Sequence, residues 1–76
     1  MTKLYIFTDY TNGQKIEDII TKKGAGYITT TYINGEKITE NKIYKVNTDK
    51  PYCRAFGTKF YFTGERLQAL KELAAG

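Results

Sequence analysis

Apolar and polar positions first alternate in residues 2–8 (TKLYIFT), where Leu4 and Ile6 fall on one side of an extended backbone and Tyr5 and Phe7 on the other. The β-branched and aromatic content predicts a strand with both faces partly covered. Residues 11–24 (TNGQKIEDIITKKG) admit two readings: Asn12-Gly13 is a hairpin turn signal, while Thr11 followed by Gln14 forms a capping box. Ile16, Ile19 and Ile20 at helical spacing, Glu17-Asp18 early, Lys22-Lys23 late and Gly24 at the stop predict a helix over 13–23. Residues 26–33 (GYITTTYI) then read as a strand, Asn34-Gly35 as a tight hairpin turn, and 36–39 as the returning strand. Glu40-Asn41 reads as a turn or bulge, 42–46 as a further strand, and 47–51 as a loop ending in Pro51, which has no N–H to give a ladder. After a final pair of short strands, Thr63 is placed to cap a helix with Glu65 in its first turn and an apolar stripe of Leu67, Leu70, Leu73 and Ala74.

The expected fold is therefore α+β: a small antiparallel sheet of about 4–5 strands in the order β-α-β-β-β-β-α, with the C-terminal helix packed on one face. At 76 residues the chain makes one domain, 1–76, with no material for a second core.

Residues 52–62 (YCRAFGTKFYF) hold five aromatic rings, an arginine and a lysine. Gly57-Thr58 has glycine first, as a type II′ turn requires, which pairs Phe56 with Lys59, Ala55 with Phe60, Arg54 with Tyr61 and Cys53 with Phe62. Cys53, Ala55, Phe60 and Phe62 then share a core face beneath the helix, while Tyr52, Arg54, Phe56, Lys59 and Tyr61 share the outer face. Symmetric closure of the 47–51 loop sets Tyr44 opposite Arg54 and Lys42 opposite Phe56, extending the outer face, and sends Ile43 to the core.

Charge changes the weight of that face. Twelve basic and eight acidic residues give a net charge of +4. Lys42, Lys45, Lys50, Arg54 and Lys59 stand against Asp49 alone, so the whole excess sits between residues 41 and 64; the rest of the chain has seven of each sign. Rings interleaved with cations suit nucleic acid, because rings stack on bases and cations neutralise phosphates. The competing structural explanation is a solvated sheet surface in which cross-strand Tyr–Arg and Phe–Lys pairs add a few tenths of a kcal/mol each with no ligand.

Histidine, serine and tryptophan are absent, which removes Ser/His and Cys/His nucleophile pairs and points away from an enzyme. Cys53 is the one cysteine, with no disulfide partner and no histidine beside it, so it reads as a small apolar strand residue; neither metal nor cofactor is expected. An enzyme using lysine or tyrosine chemistry would instead require a concave pocket and a strongly shifted pKa. Only four apolar residues follow Lys3, too few for a secretory signal or a membrane span, so a cytoplasmic location is expected.

The stretch RAFGTKFY resembles the RNP1 motif of the RNA-recognition motif family, with Arg54, Phe56, Gly57 and Tyr61 at matching positions, and Leu4–Tyr5–Ile6 is similar to its RNP2 motif. Ala55 stands where that motif prefers glycine, and Thr58 and Lys59 replace an aromatic and an aliphatic residue.

Two functions follow as expectations. One is a non-enzymatic binding module whose basic aromatic face contacts nucleic acid or a nucleoprotein complex. The other is an inhibitor or adaptor of the kind phages and mobile elements encode, acting by protein contact, with homodimerisation through an exposed strand edge such as GYITTTYI.

Overall fold

Asn12 and Gly13 both take positive φ, 51° and 75°, the backbone of a type I′ hairpin turn. That turn overrides the capping box, and the predicted helix over 13–23 is a strand instead. The computed structural model describes residues 4–76; Thr2 and Lys3, where the first strand was expected to start, lie outside them. Strand β1 (Leu4–Thr11) turns directly into β2 (Gln14–Lys23), followed by β3 (Gly26–Ile33), β4 (Glu36–Tyr44), β5 (Tyr52–Ala55), β6 (Thr58–Tyr61) and the helix α1 (Gly64–Ala75). The expected four-to-five-stranded β-α-β-β-β-β-α fold is thus corrected to a six-stranded antiparallel meander, order β1-β2-β3-β4-β5-β6, curved into a half-barrel with one C-terminal helix.

The isoleucines of β2 misled because that strand carries apolar side chains on both of its faces. Ile16 and Ile20 point with Asp18 to the concave side, where Ile20 is fully buried, and Ile19 packs on the convex side between Ile6 and Thr30. A strand so patterned loses its period of two and imitates a helix. A local cue was present: Tyr-x-Asn-Gly-x-Lys-Ile occurs at residues 10–16 and again at 32–38, and both copies make the same hairpin.

β4 runs through Glu40-Asn41 without a turn. The irregularity lies where Thr31 pairs Thr39 but Tyr32 pairs Lys37, leaving Ile38 as the extra residue. GYITTTYI is an interior strand bonded to β2 and β4, so it offers no edge; the two edges are β1 and β6.

The helix lies against the concave side. Its Ala69, Leu70 and Leu73 are buried, and Leu70 and Leu73 join Ile20, Ile43, Cys53 and Phe62 in the core, bordered by Tyr5, Phe7, Tyr27, Val46 and Leu67. Polar contacts fix it at both ends: Arg66 donates to Asp18 at 2.9 Å and lies 4.8 Å over the Phe7 ring, and the Tyr5 hydroxyl donates to Glu72 at 3.1 Å. Lys71 donates to the carbonyls of Val46 and Thr48, closing the β4–β5 loop onto the helix.

Candidate nucleic-acid interface

The turn of the β5–β6 hairpin falls one residue earlier than expected. Phe56 and Gly57, at φ 54° and 74°, form it as a type I′ turn, so Ala55 pairs Thr58, Arg54 pairs Lys59, Cys53 pairs Phe60 and Tyr52 pairs Tyr61. Each partner moves by two positions from the expected register, and a two-residue shift leaves every side chain on its face. The β4–β5 pairing changes in the same way: Tyr44 lies opposite Tyr52 rather than Arg54, and Ile43 opposite Cys53 in the core.

On the convex face the result is a row of three tyrosines. Tyr44 and Tyr52 stack with centroids 5.4 Å apart at 23°, and Tyr52 and Tyr61 meet at 5.9 Å and 56°. The Lys42 ammonium lies 5.5 Å from the Tyr44 centroid, and that of Lys59 4.5 Å from Tyr52. Of the seven candidate residues, Tyr44, Tyr52, Tyr61, Lys42, Arg54 and Lys59 are brought together here. Phe56 is not: it projects from the hairpin tip, 85% exposed.

This packing limits how bases could be held. A base inserted between two rings needs about twice a stacking distance, roughly 7 Å, and the Tyr52 faces are already taken by its neighbours and Lys59. The tyrosines therefore present edges and hydroxyls, and stacking on an open ring of this face is left to the outer side of Tyr61. The two RNP-like stretches lie at opposite ends of the sheet, β1 and β5–β6, so they do not form a joint platform.

Phe56 occupies a backbone state that suits asparagine. The other two I′ turns place Asn12 and Asn34 at the same position with φ 51°, whereas a bulky side chain there is strained by about 1–2 kcal/mol. Phe56→Asn is expected to raise stability by about 0.5–1 kcal/mol, seen as a higher urea midpoint at unchanged slope.

The cations of this face are unpaired. Among the described residues the ion pairs join Lys15 to Glu17, Lys23 and Lys37 to Glu40, and Arg66 to Asp9 and Asp18. Lys37 and Lys23 together hold the Glu40 carboxyl below its usual range, which leaves Lys42, on the same strand, with no carboxylate. Lys45, Lys50, Arg54 and Lys59 have none either. Arg54 and Lys59 sit directly opposite each other across the hairpin, an arrangement of like charges that destabilises a bare sheet.

Sequence reasoning missed a cleft on the opposite, concave face. Where α1 leaves the inner face uncovered, a cleft of about 430 Å³ opens, walled by Ile33, Ile38, Phe56 and Phe60, with Asp18 and Arg66 at its polar end. Thr31 donates to Asp18 at 2.7 Å, so both carboxylate oxygens are engaged. Cys53 lines its floor, and burial, then the charge of Asp18, push the thiol pKa up. A raised pKa on an acid favours the neutral folded form. Its contribution to stability is present below the ordinary thiol pKa and lost as pH rises through the folded value. Cys53 is expected to react with an aromatic disulfide at pH 8 far more slowly in the folded protein than in urea; equal rates would mean that the thiol is open to solvent.

Among the described residues no three His, Cys, Asp or Glu side chains converge as a metal site would need, and no helix is long and apolar enough to cross a membrane. Comparison with family models, with curated proteins and with solved structures gives no match.

Proposed function

We propose that this protein is a binding module that contacts the phosphate backbone of nucleic acid through the convex face of β4, β5 and β6. The observation that carries the reading is the Arg54–Lys59 pair: two cations fixed opposite each other with no carboxylate in reach. An anion between them would convert a repulsion into two charge-assisted hydrogen bonds. Lys42 extends the positive strip along the tyrosine row, and the hydroxyls of Tyr44, Tyr52 and Tyr61 are available to phosphate and sugar oxygens.

Such contacts carry little sequence information, so the expected mode is sequence-tolerant. Single strands are the preferred form, because their unstacked bases can reach the open outer side of Tyr61. The test is titration of a labelled single-stranded oligonucleotide and its duplex from low to high salt. A linear fall of log affinity with log salt, steeper in proportion to the phosphates neutralised, supports the proposal; absent or salt-independent binding removes it.

Phe56 supports a second reading, contact with a protein partner, since an aromatic ring 85% exposed on a strained turn has the character of an interface anchor. Capture of a partner that survives nuclease treatment and is lost on Phe56→Asn would favour it.

A further inference from the structure

We infer that β1 pairs with β1 of a second copy, joining two half-barrels into one continuous sheet. The two-residue Asn12-Gly13 turn closes on the hydrogen-bonded pair Thr11–Gln14, so bonded pairs to β2 recur at Asp9, Phe7 and Tyr5. Lys15 confirms the parity: its N–H and C=O bond Asn34 on the β3 side, away from β1. The N–H and C=O groups of Leu4, Ile6, Thr8 and Tyr10 therefore point out of the sheet at its open edge.

This edge lacks the usual protection. It is eight residues long, with no proline and one charged side chain, Asp9, which Arg66 holds at 3.7 Å. Residues whose backbone is unpaired there also carry exposed side chains on the convex face: Leu4 and Ile6 are each 51% exposed and Tyr10 75%. The β6 edge, by contrast, is four residues long and carries Lys59.

The occupant is a second copy because the edge is complementary to itself. In the antiparallel register that uses all four open residues, Leu4 faces the partner's Tyr10 and Ile6 faces the partner's Thr8, twice over by two-fold symmetry. The Tyr10 ring then covers Leu4, no two charged side chains of β1 with like sign meet, and on the concave side Phe7 faces the partner's Phe7 at the axis. The tyrosine row lies at the opposite end of each sheet, so the pair would carry two separate contact faces.

Sedimentation equilibrium from micromolar to millimolar concentration tests this, with Thr8→Pro as the variant. The Thr8 N–H makes no bond within the protein's own ladder, so proline removes only the group offered to the partner. Wild type is expected to move from 8.7 kDa towards twice that mass while Thr8→Pro stays at 8.7 kDa with unchanged far-ultraviolet circular dichroism. A wild type that stays single throughout, or a folded Thr8→Pro that associates equally, overturns the inference. Should Thr8→Pro not fold, Ile6→Lys replaces it with a cation on the same exposed row and is held to the same two outcomes.

Discussion

Leu70→Ala is expected to remove about half of this protein's folding free energy at 25 °C. Leu70 is fully buried, as is Ile20, and both belong to the cluster through which the helix meets the concave sheet. Truncating a leucine in such a place costs about 2–5 kcal/mol, the upper part applying when the surroundings cannot close around the gap. Curved strands on one side and a helix pinned by Arg66 and Lys71 leave little freedom to close. Against a total stability of roughly 4–11 kcal/mol for a chain of this size, that loss is close to half of what there is. Urea unfolding followed by circular dichroism would show it as a large drop in midpoint. Leu67→Ala, at the half-buried margin of the stripe, should cost visibly less. Equal and small effects at both positions would mean that α1 is not what closes the core.

Replacing Lys42, Arg54 and Lys59 together by glutamine is the second change with a large expected effect. If Lys42, Lys45, Lys50, Arg54 and Lys59 all reach phosphates, log affinity for a single strand falls with a slope of about −3.5 against log salt, a loss of roughly a hundredfold between 50 and 200 mM. The triple variant leaves Lys45 and Lys50, a slope near −1.4 and a loss of only about sevenfold over the same interval. Stability should move the other way: Arg54→Gln alone removes a like-charge pair, so its thermal midpoint should equal or exceed that of wild type. A variant as stable as wild type that keeps the full salt slope would mean that phosphate contacts lie elsewhere.

The face of the candidate interface was legible in the sequence while its register was not. Alternation in 52–62 is enough to separate Cys53, Ala55, Phe60 and Phe62 from Tyr52, Arg54, Lys59 and Tyr61. Only the φ values of Phe56 and Gly57 reveal which two residues turn, and the side chain at 56 disguised a turn that asparagine marks elsewhere. Because the error was a whole period, the face survived it. Residues 13–23 had no such protection: a strand with apolar side chains on both faces and an amphipathic helix can share one pattern, and the local cue that separates them is the repeat with residues 32–38. The cleft could not be read from the sequence at all, since it is bounded by how far α1 extends over a sheet whose curvature is set by all six strands.

The neighbour-to-neighbour strand order has a kinetic corollary. Every hairpin can close from residues adjacent in the chain, in the microsecond range for each, without waiting for a distant partner. The contacts that span most of the polypeptide, Tyr5 to Glu72 and Asp18 to Arg66, are made by the helix alone. Acquisition of the native state should therefore be gated by arrival of α1 on a preassembled ribbon, so that truncations within the stripe, whose contacts are made in that step, slow formation of the native state.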